Sequence, residues 1–191
     1  MKLRPEQQLA LDYARRAGTE AAKDRIRDKM ARTFADLEDL LGSISEPQAR
    51  EKPAADSWSI QQVVDHLVES HRPAVAELES VLSGRAPATD PIPAGLQSAD
   101  PMSIDWAEMV ARLRRVHADL LGTVDQASDD APLDAKVTIV MVVKCRYEDG
   151  SIRPVEWLEP FDWKAYCILL RAHTLEHVHQ IRRAMETVVA G

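Results

Sequence analysis

Two histidines four residues apart, His173 and His177, lie in the last helix-like segment of a 191-residue chain, Asp162 to Val189. At about 100° per residue, Tyr166, Leu170, His173, His177, Ile181, Ala184 and Val188 fall on one stripe. The stripe is apolar except for its two imidazoles, which stand one above the other a turn apart. That spacing lets a single helix give two nitrogen ligands to one metal ion. An isolated pair is explained more simply as core histidines, so a metal site needs a third ligand from another segment. Gln180 shares the face and can reach a ligand or a bound water, whereas His179 points off it toward the surface.

The same residues overlap two known metal motifs, and both are incomplete. His173, Glu176 and His177 have the spacing of the inverted zinc-protease motif, in which the glutamate is the base. Those proteases take a further ligand from far downstream, but only 14 residues follow His177 here and the single later acid is Glu186. Glu176 and His179 match the Glu-x-x-His unit of di-iron bundles, which needs a second such unit and two more glutamates. No second unit exists in this chain.

Charge narrows the function classes. The chain carries 24 Lys and Arg against 31 Asp and Glu, a net charge of −7, so it lacks the positive field that nucleic acid or an anionic membrane requires. The N-terminus has no apolar core of signal-peptide length, and apolar runs such as Ile139 to Val143 are far too short to span a bilayer. A cytoplasmic protein is expected. The two cysteines, Cys145 and Cys167, form no CxxC pair and read as buried thiols. The length and a composition of 45% hydrophobic and 29% charged residues suit one soluble domain over 1–191.

The positioning elements read as four main helices, an N-terminal helical arm and one inserted β-hairpin. Pro5 to about Ala17 forms the arm, with Gly18 weakening its continuation. Thr19 is placed to cap a helix running to Leu41 or Ile44, in which Ile26, Met30, Phe34, Leu37, Leu41 and Ile44 recur at three or four residues. Alternating charges from Lys23 to Arg32 form its solvated face. Ser45 to Asp56, with Pro47 and Pro53, reads as a connection. Ser59 and Gln62 fit a capping box that opens a helix through Ser83, with Trp58 as an anchor at its entry. That helix carries His66 at the edge of its apolar stripe and His71 nearer the middle, and spacing alone does not choose between them. Pro73 is expected to break or kink it. The stretch Gly84 to Pro101 is too rich in Pro, Gly and Ala for a regular element and long for a bundle connection, a feature of functional loops. A third helix reaches Val124 from Ser103 or Asp105, with Asp105 and Glu108 at capping-box spacing and His117 as a lone non-ligand histidine. Residues 136–158 read as the hairpin, with strands Lys136 to Tyr147 and Ile152 to Leu158. A lone hairpin is marginal in water, so it must cover the helices, close a pocket or pair with a second chain; Pro154 suits an edge. Asp162 then caps the last helix.

Trp58-Ser-Ile-Gln-Gln-Val-Val-Asp-His66-Leu, followed about a hundred residues later by His173-Thr-Leu-Glu-His177-Val-His-Gln180-Ile181, resembles the DinB/YfiT-like superfamily of metal-dependent four-helix bundles. The resemblance spans about Ile26 to Val188. It implies a mainly α fold, a DinB-like up-down four-helix bundle with core about 19–189. It also implies one divalent metal held by His66, His173 and His177, and so selects His66 over His71. Three neutral imidazoles leave open positions on an ion, as catalytic sites do. Such an ion activates water or a small thiol near neutral pH. The implied chemistry is hydrolysis, or transfer assisted by a low-molecular-weight thiol, on a small molecule between the helix of Ser59 to Ser83 and the last one. Zinc, nickel and iron all suit imidazole ligands. Glu176, Gln180 and Glu69 are the candidates for acid-base or supporting work. The alternative is a non-catalytic metal- or small-ligand-binding bundle. A homodimer is expected, through the hairpin or helix faces, and neither nucleic acid nor membrane as a partner. The hairpin and the long loop exceed what a minimal family member needs, so substrate does not transfer with the resemblance.

Overall fold

The computed structural model describes residues 3–19, 21–128 and 130–190. Among these residues six α-helices and one hairpin follow in order: α1 Pro5–Thr19, α2 Lys23–Gly42, α3 Glu46–Arg50, α4 Ile60–Leu82, α5 Trp106–Gln126, β1 Val137–Arg146, β2 Ile152–Phe161 and α6 Trp163–Ala190. The four long helices α2, α4, α5 and α6 form the bundle. Both α2 and α4 pack against α5 and α6, so α2 and α4, consecutive long helices in the chain, sit diagonally rather than side by side. Among the described residues no helix is long and apolar enough to cross a membrane.

Two apolar clusters fill the bundle, with His71, His173 and His177 between them and His66 and His117 at their borders. One holds Leu37, Leu41, Val63, Val64, Leu67, Met109, Leu113, Val178 and Ile181. The other holds Met30, Phe34, Leu78, Val81, Leu120, Trp163, Tyr166 and Leu170. On α4 the gap between the clusters falls at Ser70 and His71, on α6 at His173 to His177, and on α5 near His117. A polar layer inside an otherwise dry core must satisfy its own hydrogen bonds, because burying unpaired polar atoms is costly.

Several boundaries differ from the sequence expectation. The α1 helix continues through Gly18, because α1 packs on α6 so closely that a Cβ there would lie 2.9 Å from the backbone nitrogen of Ala165. The α2 helix starts at Lys23 with Ala22 in the N-cap position, so Thr19 does not cap it. Within the supposed connection, Ser45 caps α3 and Pro47 occupies its first turn, where a missing N–H costs nothing. Pro73 leaves α4 helical from Ile60 to Leu82. Asp105 accepts from the backbone N–H groups of Ala107 and Glu108, while the Glu108 side chain turns to Arg112 and Arg115 instead of completing a box. β2 extends past Leu158 to Phe161, antiparallel to β1 with Val137 opposite Phe161, and Pro160 lies within the strand. Pro154 and Pro160 are tolerated because a two-stranded ribbon has only edge strands. Gly150, at φ 79°, allows the hairpin turn. The hairpin and α1 enclose a third, small cluster of Leu11, Ala14, Met141, Phe161 and Ala165 on the outer side of α6. Asp162 caps α6 by accepting from the N–H of Ala165 at 2.9 Å.

Candidate metal centre

Local sequence sets the first half of the site. The hydroxyl of Ser59 accepts from the N–H of Gln62, and the Gln62 side chain accepts from the N–H of Ser59 at 3.0 Å, so α4 begins at a fixed residue and His66 falls in its second turn. Polar side chains on that stretch hold the returning loop. Gln61 Nε2 donates to the carbonyls of Pro101 and Ile104, each at 2.8 Å. Asp65 Oδ2 accepts from the N–H of Ser98 at 2.8 Å, and Gln97 Nε2 donates to the carbonyl of Gln62. The loop from Gly84 to Pro101 is therefore fastened to α4 at its far end.

The rings of His66, His173 and His177 meet at their Nε2 atoms. His173 Nε2 lies 3.0 Å from His66 Nε2 and 3.0 Å from His177 Nε2. One nitrogen from each ring falls within 4.8 Å of those of the other two. The ring planes are steeply inclined, 84° between His66 and His173 and 86° between His173 and His177, so the rings converge edge-on rather than stack.

The outer nitrogens determine which atoms carry protons. His66 Nδ1 lies 2.8 Å from the carbonyl oxygen of Leu96, which can only accept, so Nδ1 bears the hydrogen and Nε2 presents a lone pair. His177 Nδ1 faces the side-chain oxygen of Gln180 at 2.9 Å, with the same result. His173 Nδ1 faces His71 Nε2 at 3.3 Å. Donation from His173 to His71 leaves a third lone pair at the same point. Three converging lone pairs repel unless a cation lies among them, and the outer contacts are those that orient metal-bound imidazoles. The residues present thus fit a divalent ion. Burial favours the uncharged rings: desolvation lowers the pKa of His66, holds that of His173 well below the usual value, and brings that of His177 down to about 4, with His66 reinforcing the shift and Gln180 opposing it.

Not every residue singled out in the sequence joins this point. His71 is fully buried and touches His173 on the opposite nitrogen from His66, so both α4 histidines reach the same ring. His117 is buried, stacks on Phe34 with ring centres 3.9 Å apart, and donates from Nδ1 to Glu38 at 2.7 Å. Glu69 pairs with Arg72, and exposed Glu176 lies 4.0 Å from Arg183. Among the described residues neither carboxylate hydrogen-bonds to the three rings. His179 is exposed, and the Val188 side chain, assigned to the apolar stripe, lies outside the described residues. Cys145 and Cys167 are buried and free, and burial pushes the Cys167 thiol up to about 12, which keeps it protonated and unreactive. Sequence reasoning missed Gln61 and Asp65 as loop anchors; their signal was the presence of polar residues between the apolar positions that follow the Ser59 cap. Trp58 is half-buried, with its ring centre 5.3 Å from that of His66, and so shields the centre as well as packing the helix entry.

Beside this layer, a cleft of about 350 Å³ opens between α4 and the loop, lined by Pro73, Glu77, Asp90, Ile92 and Leu96 among others. Leu96 belongs to both features, giving its side to the cleft and its carbonyl to His66.

Comparison with known proteins gives the family and the fold. Residues 29–144 match the profile of the DinB superfamily. Among solved structures, YfiT from Bacillus subtilis, described as a probable metal-dependent hydrolase with an unusual four-helix bundle topology, aligns over 87% of each chain at 18% identity with a TM-score of 0.65. TT2238, described as a four-helix bundle protein, aligns over 84% of this chain and 98% of its own at 12% identity with a TM-score of 0.55. No curated protein matches the sequence.

Proposed function

The chain belongs to the DinB superfamily, and from that membership and the ring geometry we propose that it is a metal-dependent enzyme acting on a small molecule. In this reading His66, His173 and His177 hold one divalent ion through their Nε2 atoms. The observation that carries it is the convergence of three ring nitrogens, two of them with lone pairs turned inward by the outer acceptors Leu96 and Gln180 and the third on His173, whose outer nitrogen faces His71. A bound ion with open positions would supply Lewis-acid chemistry, lowering the pKa of water or of a small thiol near neutral pH. Leu96 and Gln180 keep the proton on the outer nitrogens, Trp58 limits access of bulk water, and the cleft beside Leu96 receives the substrate. The description of YfiT as a probable metal-dependent hydrolase makes hydrolysis the first reaction to assay.

A non-catalytic metal-binding bundle is favoured by one observation: the nearby acids, Glu69 and Glu176, are paired with arginines rather than with the three rings. Metal analysis followed by a cobalt-substituted spectrum separates the two. The enzyme reading predicts about one ion per chain and a spectrum that changes when a small thiol or a competing anion enters an open position. A spectrum indifferent to both would mean a closed ion and no catalyst. A protein that takes up no ion would remove the proposal altogether.

A further inference from the structure

Glu77 is a buried acid without a cation. It is 5% exposed and lies on the cleft wall. Its Oε2 accepts a hydrogen bond from the Tyr166 hydroxyl on α6, and among the described residues no Lys, Arg or His forms an ion pair with it. Elsewhere in the molecule carboxylates such as Glu38, Glu108 and Glu159 have arginine or histidine partners. Removing a carboxylate from water without a counter-charge is costly, so an acid kept in this state is poised for one that arrives from outside. Desolvation raises its pKa, the consequence expected when that charge is missing.

The cleft around Glu77 matches one kind of ligand. Pro73, Ala76, Ile92 and Pro93 give it apolar walls, Asp90 adds a second acid, and among the described residues no basic side chain lines it. Its volume, about 350 Å³, is that of a small-molecule site. The Tyr166 hydrogen bond orients the carboxylate while leaving lone pairs free to accept from a ligand. Tyr166 and His173 are seven residues apart on one helix stripe, about 10 Å of helix rise. We propose that the cleft binds the ammonium end of an elongated small amine, with Glu77 as its counter-charge and the apolar walls against its stem. The inference rests on the metal-dependent reading above only for which end of the ligand reacts; recognition of the amine does not require the ion.

The test uses the full chain at pH 8, once zinc-loaded and once after chelation, titrated with n-hexylammonium, n-hexanol and n-hexanoate by isothermal calorimetry and by amide chemical shifts. The proposal predicts saturable hexylammonium binding, with shifts concentrated at Glu77, Ile92 and Leu96, at least tenfold tighter than either control. Glu77→Gln should weaken it at least tenfold and Tyr166→Phe by a smaller factor, because the carboxylate remains but loses its orienting donor. Hexanol binding as tightly as hexylammonium, or hexylammonium binding unchanged in Glu77→Gln, overturns it. Should Glu77→Gln fail to fold, the preference among the three probes in the unaltered protein decides. Amine binding that survives chelation in a protein that takes up no zinc upholds the cleft while rejecting the metal-dependent reading.

Discussion

Two groups of buried histidines share one polar layer and solve the same problem differently. His117 aims a nitrogen at the Glu38 carboxylate and lays its ring on Phe34, so a protein acid answers its hydrogen bond. His66, His173 and His177 aim nitrogen at nitrogen, and their acceptor partners lie only on the outer side. The first arrangement gives Nδ1 a charged protein partner and leaves only Nε2 buried without one. The second turns three ring nitrogens toward one point, which no other group among the described residues satisfies together and a cation would. The difference teaches that burial alone does not mark a metal site; the identity of each nitrogen's partner does.

That contrast can be broken most sharply at His173, the ring within 3.0 Å of both others. His173→Ala should lower zinc affinity by more than the 10–100-fold typical of losing an outer partner. Retention of affinity, measured against a competing chelator, would place the ion elsewhere.

Protonation offers the next largest effect. In the folded protein the His177 pKa is lowered to about 4, below its ordinary 6.5, so the unfolded chain binds the extra proton first. The associated stability is fully present above pH 6.5 and is lost as pH falls toward 4, by about 3 kcal/mol for this ring at one unit per 1.36 kcal/mol. Urea unfolding of the metal-free protein at pH 7.5, 6 and 5 should show that decline. Zinc affinity of the folded protein should fall less steeply over the same range than that of an exposed three-histidine peptide, because the folded rings are already free of protons.

The other side of the comparison is tested by Glu38→Ala. It strips the protein partner from His117 and should cost about 1–3 kcal/mol of stability, the penalty of an unpaired buried group, with zinc stoichiometry unchanged. Lost zinc binding in a folded variant would join the two histidine groups into one unit. The smallest effects belong to Glu69→Gln and Glu176→Gln, which alter arginine-paired acids and should leave stability within about 0.5 kcal/mol. Zinc affinity within about twofold of the unaltered protein is expected for both, read by the same competition assay.

Periodicity made the bundle legible, and local chemistry made its helix starts so at Ser59, Asp105 and Asp162. The i, i+4 pair on α6 was equally plain. The choice between His66 and His71 was not, for a physical reason: both lie on the inner face of α4 and both contact the same His173 ring, from opposite nitrogens. Spacing on one helix reports which face a residue occupies, not which edge of a distant ring it meets; a family resemblance supplied that choice. Gly18 looked like a weak point in α1 because its value lies in a long-range contact with Ala165. The extension of β2 to Phe161 was hidden by Pro160, which a central strand would reject and an edge strand accepts. The ties from Gln61 and Asp65 to the loop are likewise tertiary, with only the buried polar pattern to hint at them.

X-ray absorption on the zinc-loaded protein tests the central claim most directly. The account predicts about one ion per chain with three imidazole nitrogens at about 2.0–2.1 Å and at least one lighter, exchangeable ligand, and loss of that imidazole signature in His66→Ala, His173→Ala and His177→Ala. A full imidazole signature surviving those changes, or a protein that retains no zinc, would contradict it.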